Sequence, residues 1–167
     1  MGTLAALADT LQRMRGKRVY FDTAPLIYAL ENAPYFAECA IPFPQASGER
    51  EFVGFTGVAT LAEMLVLLPR DKNKDYAEQL KTLFLSGDVL QCADHSTAMF
   101  LLAASLRADH RYKAIDALQM ATSITLGCQF FVTNDDASKS TANTEVVCVK
   151  TFSDNPDINR AFADRTE

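Results

Sequence analysis

A chain of 167 residues with 49% hydrophobic and 10% aromatic content has room for one globular domain with a real core, which excludes a disordered or low-complexity protein. Its 16 basic and 21 acidic groups leave a formal charge of −5, so nucleic-acid binding would have to rest on a local basic rim rather than on the overall field. No apolar run attains the roughly 18–20 residues of a membrane span, and the N-terminus lacks a basic stretch followed by a long apolar one, so a cytoplasmic protein with no membrane partner is expected.

Leu4, Leu7, Ala8 and Leu11 recur at helical spacing within residues 3–15, and Gly16 offers a C-cap. The run RVYF at 18–21 reads as a strand that ends at Asp22. It leads through Thr23 and Ala24 to Pro25, suited to the first turn of a helix over LIYALE. Residues 32–51, with three prolines and mixed polarity, read as a long loop or loosely helical insertion. A second strand is expected near 51–55, followed by a helix whose Val58, Leu61, Ala62, Leu65 and Val66 form an apolar stripe. Glu63 lies roughly 130° from the centre of that stripe and can face a cleft. A helix over 73–86, a strand over 88–92 and an apolar helix from about 96 to 107 come next. Ala117, Met120, Ala121 and Ile124 mark a further helix, with Asp116 in its first turn and Gly127 at its end. Strands at 129–132 and 145–149 follow, and residues 153–167 read as a last helix or a frayed end. The alternation predicts an α/β fold, with a mostly parallel five-stranded sheet and helices on both faces.

Cys39, Cys92, Cys128 and Cys148 are widely spaced with no CxxC pair, which suits buried free thiols better than disulfides or zinc. Having only His95 and His110, and no HExxH or Cys/His cluster, argues against a zinc hydrolase, and His95 reads as a helix-start residue. FDTAP resembles the start of a haloacid-dehalogenase phosphatase, but Ala24 stands where the second Asp belongs. GxSxG, GxGxxG and Walker A patterns are absent.

Acids at strand ends carry the remaining chemistry. Ligands of open parallel sheets bind beyond the carboxyl ends of strands. Asp22 follows the first strand and Asp135 the fourth, while Glu63 and Asp116 sit on helices that can reach the same edge. Two like charges ~4 Å apart repel by about 4 kcal/mol at an effective dielectric near 20, so four carboxylates gathered together call for a counter-charge. Oxygen-only ligation suits Mg²⁺ or Mn²⁺, and such an ion beside a phosphodiester favours its hydrolysis. Each acid taken singly also fits a cap or a turn, and the joint placement is what distinguishes them. Arg70, Lys72, Lys74, Arg107, Arg111 and Lys113 are candidates for a basic rim, and Tyr28, Tyr35 and Phe36 for stacking on unpaired bases.

The segments VYFDTAPLIYALE, TGVATLAEMLVL, AIDALQMATSITLG and QFFVTNDD, in this order, resemble the PIN domain, in particular VapC-like toxins of bacterial toxin–antitoxin pairs. The resemblance covers about residues 17–150 of a single domain spanning 1–167, with 32–51 as an insertion. It implies that Asp22, Glu63, Asp116 and Asp135 form an acidic quartet using Mg²⁺ or Mn²⁺. Thr23 and either Thr133 or Asn134 would support it. It further implies an endoribonuclease acting on RNA, a homodimer, and an antitoxin protein as partner. A non-catalytic RNA- or protein-binding module and a DNA-directed nuclease are the alternatives. Ile115, Asp136 and Ser138 depart from the residues common in the family at those places.

Overall fold

The computed structural model describes residues 3–31, 33, 36–67 and 74–154, with backbone alone for 67, 74–76 and 79. Helix α1 (Thr3–Met14) packs Leu7 and Met14 inward, and Gly16 at φ +68° turns the chain after it, a conformation that glycine adopts without a Cβ penalty. Strand β1 (Arg18–Phe21) leads directly into α2 (Thr23–Leu30), which is N-capped by Asp22. The short helices α3 (Ala37–Ala40) and α4 (Pro42–Gly48) precede β2 (Val53–Gly57) and α5 (Val58–Leu67). Then come α6 (Lys74–Ser86), β3 (Gln91–Ala93), α7 (Thr97–His110), α8 (Ala114–Thr125), β4 (Phe130–Thr133) and β5 (Glu145–Cys148), with a 3₁₀ turn at Val149–Phe152.

All five strands are parallel, in the order β3-β2-β1-β4-β5. Because side chains alternate along a strand, β1 divides its residues between two cores. Val19 and Phe21 join Leu26, Phe43, Met64, Phe84 and Val132 on one face, whereas Tyr20 joins Met99, Leu106, Met120 and Phe131 on the other. The expected helices on both faces are therefore present, with α7 and α8 on the Tyr20 side.

This strand order also locates the site. From β1 the chain steps outward to β2 and β3, crosses back to lay β4 on the other flank of β1, and then adds β5. The connections leaving β1 and β4 thus depart in opposite directions and open a crevice beyond the carboxyl ends of these two central strands.

Several local expectations need correction. The segment expected as a loop or loose helix contains α3 and α4, whose Cys39, Ala40, Phe43 and Ala46 enter the core. Their spacing is helical, but Pro42 and Pro44 obscured it, and Pro42 in fact occupies a first-turn position where no amide donor is needed. Strands β2 and β3 begin two and three residues later than expected. Their limits are set by the neighbours they pair with, β1 for Val53 and β2 for Gln91, rather than by apolar content. Strand β5 stops at Cys148, one residue short, as the 3₁₀ turn begins. Tyr28 and Phe36, considered for base stacking, are buried against each other with ring centroids 4.4 Å apart. Tyr35, Arg70, Lys72 and the segment beyond Asp154 lie outside the described residues, as does the Lys74 side chain. Cys39, Cys92, Cys128 and Cys148 are free thiols.

Candidate active site

Asp22 sits at the floor of the crevice between β1 and β4. Its backbone amide donates to Val132 O at 2.9 Å, continuing the β1–β4 ladder by one residue. This pins the carboxylate between two donors: Thr23 N reaches Oδ1 at 2.8 Å, and Thr133 Oγ1 reaches Oδ2 at 2.7 Å. Asp22 retains some solvent exposure, yet protein surrounds its carboxyl group. Burial pushes its pKa up to about 6, with Asp116 and Glu63 adding repulsion and the Thr133 and Thr23 hydrogen bonds pulling the other way.

The other three acids approach from separate elements. Asp116 lies in the first turn of α8, where its pKa is raised by burial first and then by Asp135 and Glu63, against a lowering influence of Lys113. Glu63, on α5, accepts a hydrogen bond from the Thr23 hydroxyl. Asp135 follows β4. Its amide donates to Thr133 Oγ1 at 3.1 Å, and its Oδ1 accepts from Ala137 N at 2.9 Å, closing a turn. Thr133, wholly buried, therefore ties the Asp135 turn to Asp22 through one oxygen. Asn134 turns away. Its Oδ1 accepts from Lys150 N at 2.9 Å, and its buried Nδ2 has no hydrogen-bond partner among the described residues.

Asp22 feels repulsion from Asp116 and Glu63, and Asp116 from Asp135 and Glu63, so Asp116 links Asp135 to the other two acids. Among the described residues, no group of three or more Asp, Glu, His or Cys side chains closes around a point that would grip one cation. The set nevertheless fits a hard divalent cation by its donor chemistry. It offers only carboxylate oxygens, crowded with like charge, and Mg²⁺ commonly takes one or two carboxylates and keeps several waters.

A second layer of polar groups lies beneath the acids, in which Thr23 is an expected member and Tyr20 and Gln119 are not. Tyr20 donates its hydroxyl to Gln119 Oε1, and Gln119 Nε2 donates to Thr60 Oγ1 at 2.7 Å and to Thr23 Oγ1 at 3.3 Å. Spacing on α8 marks Gln119 as one turn from Asp116, but no local signal announces its three hydroxyl partners. His95 is likewise more than a helix-start residue. Its Nε2 accepts from Ala59 N at 3.2 Å while Nδ1 meets Thr122 Oγ1 at 3.0 Å. Because Thr122 Oγ1 itself donates to Leu118 O, the proton belongs on Nδ1, and burial lowers the pKa of this neutral ring.

Basic groups sit at the junction of α7 and α8, and Lys113 among them is within electrostatic reach of Asp116. Lys113 caps the N-terminus of α8, and Arg111, in the left-handed conformation at φ 58°, ends α7. Tyr112, between them, is buried, and its hydroxyl accepts from Lys139 N at 2.7 Å, clasping the segment after Asp135 to the start of α8. Asp136 pairs with Lys150 and is held below the usual carboxylate range by it.

The PIN domain family model matches residues 19–143. A search of curated proteins returned no match. Among solved structures, VapBC2 from Rickettsia felis, bound to a fragment of its promoter DNA, superposes with a TM-score of 0.61 at 18% identity, covering 78% of this chain and 98% of that one. FitAB bound to an IR36 DNA fragment gives 0.63 at 19%, covering 79% and 95%. VapC20 from Mycobacterium tuberculosis, a toxin that cleaves the sarcin–ricin loop, gives 0.56 at 19%, covering 68% and 86%.

Proposed function

Since this chain belongs to the PIN domain family, we propose that it is a divalent-metal-dependent endoribonuclease and the toxin of a toxin–antitoxin pair. The observation that carries the catalytic reading is Asp22, clamped by Thr23 N and Thr133 Oγ1 at the β1–β4 crevice and destabilised by burial beside Asp116 and Glu63. A protein keeps a carboxylate in so unfavourable a place when something of opposite charge binds there.

In this reading Asp22 and Asp116 would be the principal ligands of Mg²⁺ or Mn²⁺, Asp135 would complete the set or hold a second ion, and Glu63 would bind the ion or orient a water. When bound, the cation supplies Lewis acidity toward water and toward the phosphoryl oxygens. The protein contributes orientation. Thr133 and the Thr23 amide each occupy one lone pair of Asp22, which fixes its rotamer and leaves the remaining lone pairs for the crevice. Glu63, held by the Thr23 hydroxyl, remains an acceptor for a water proton. Lys113, within electrostatic reach of Asp116, offers a contact for a phosphate that flanks the scissile bond. Water then attacks phosphorus in line, leaving 5′-phosphate and 3′-hydroxyl ends.

The toxin reading draws on the neighbours, several of which are toxin–antitoxin complexes. An antitoxin segment with an arginine set against the acids would neutralise them much as a cation does.

Incubation of single-stranded RNA and DNA with wild type, Asp22→Asn and Asp116→Asn, with Mn²⁺ or EDTA, tests the activity. Metal-dependent RNA cleavage lost in both variants is expected. Undiminished cleavage by both overturns the site, cleavage of DNA alone makes the protein a DNA nuclease, and RNA binding that persists in EDTA without cleavage makes it a binding module. Growth arrest on expression, relieved by the product of an adjacent small gene, tests the toxin role.

A further inference from the structure

We propose that Gln119 is a positioning residue for the acidic site, acting through the Thr23 hydroxyl to aim Glu63; this rests on the metal-dependent reading above. Gln119 is wholly buried in the stretch of α8 from Ala117 to Ser123 that is buried all round, where Leu or Met would pack without a polar group to satisfy. Burial of an unpaired amide is strongly unfavourable in an apolar medium. Here every polar atom of the amide is engaged, and all its partners are hydroxyls from other elements: Tyr20 of β1, Thr23 of α2 and Thr60 of α5. Gly57 makes the arrangement sterically feasible, since a Cβ there would stand 2.8 Å from the Tyr20 hydroxyl.

The direction of donation follows from the end of the chain. An ionised Glu63 only accepts, so Thr23 must give it the hydroxyl proton, and the Thr23 oxygen is left to accept. The Gln119 amide nitrogen supplies that donor and a second one to Thr60. Its carbonyl oxygen must then face Tyr20, which donates to it. One orientation of one amide therefore sets the polarity of the whole relay. Without the amide, the Thr23 hydroxyl can turn to Thr60 Oγ1, 3.4 Å away, and release Glu63. The same side chain links α8, which carries Asp116, to α5, which carries Glu63, and to the residue after Asp22. Three of the four acids are thus registered against one another by a group that touches neither substrate nor metal.

The test is Mn²⁺ affinity, read from the electron paramagnetic resonance of free Mn²⁺, on wild type, Gln119→Met, Thr23→Val, Thr23→Ser, the Gln119→Met/Thr23→Val double variant and Asp22→Asn, with near-UV circular dichroism to verify folding. Outer-layer partners of metal ligands are worth about 10- to 100-fold in affinity, so Gln119→Met and Thr23→Val should each weaken Mn²⁺ by about tenfold or more. Thr23→Ser, which keeps the hydroxyl, should stay near wild type. The double variant should be no weaker than the worse single one, because both changes break the same relay. Folded Gln119→Met with wild-type affinity, or losses that multiply in the double variant, would overturn the proposal. Should Gln119→Met fail to fold, wild-type affinity in Thr23→Val overturns it equally. Wild type that binds no better than Asp22→Asn refutes the metal reading itself, whereas loss in Asp22→Asn with none in Gln119→Met refutes only the relay.

Discussion

Replacing Asp22 with asparagine should stabilise the metal-free protein while destroying its metal site. The folded state raises the Asp22 pKa from 3.8 to about 6, chiefly by burial. The folded form therefore holds its proton to higher pH than the unfolded chain. Stability falls as pH rises between about 4 and about 6, and the full penalty is present above that window. At 1.36 kcal/mol per pH unit the penalty is about 3 kcal/mol at neutral pH. Asparagine removes the charge but turns one of the two clamping contacts, from Thr23 N and Thr133 Oγ1, into a meeting of donors, at about 1 kcal/mol. A net gain of about 2 kcal/mol is expected in urea denaturation at pH 7 with EDTA, shrinking to nothing or reversing at pH 4. Mn²⁺ at a hundred times its dissociation constant should then add about 2.7 kcal/mol to wild type and none to the variant, reversing the order. A variant no more stable than wild type at pH 7 in EDTA, or one with the same advantage at pH 4, would refute the argument that burial strains this carboxylate.

Thr133→Val removes the donor that lowers the Asp22 pKa, so the carboxyl should titrate above 6 in ¹³C spectra, and an unchanged titration would deny Thr133 this role. Gly57→Ala places a methyl 2.5 Å from His95 Cε1 and 2.8 Å from the Tyr20 hydroxyl, and should cost roughly 1–3 kcal/mol in urea unfolding. Tyr112→Phe unclasps Lys139 from the start of α8 and should speed amide exchange around residues 135–139 while the sheet stays protected. His95, neutral and half-buried, should titrate below 6.5 by NMR. Its contribution to stability is present above 6.5 and lost as pH falls below it, and titration at or above 6.5 would contradict the claim that burial disfavours the charged ring.

Much of the fold was legible because it is written in local periods. RVYF at β1 and the i, i+3, i+4 pattern of α8 were readable from residue type alone, and Asp22 was marked by standing directly after a strand and Asp135 by following one within three residues. Prolines hid α3 and α4 because the eye for breakers outweighed the spacing of Cys39, Ala40, Phe43 and Ala46. Thr133 and Asn134 are adjacent and chemically similar, so nothing local separates them. Strand alternation turns one toward Asp22 and the other toward Lys150.

The sequence by itself determined the alternation of strands and helices and the placement of the four acids, Asp22 and Asp135 just past strands and Glu63 and Asp116 on helices. Only the tertiary structure decided that β4 lies beside β1, which brings Thr133 to Asp22 across 111 residues of chain, and that Gln119 meets Thr23 across 96. Periodicity and residue type act within a few residues. Which hydroxyl meets which carboxylate depends on the crossovers that bring distant segments together, and those are fixed by the packing of both cores at once.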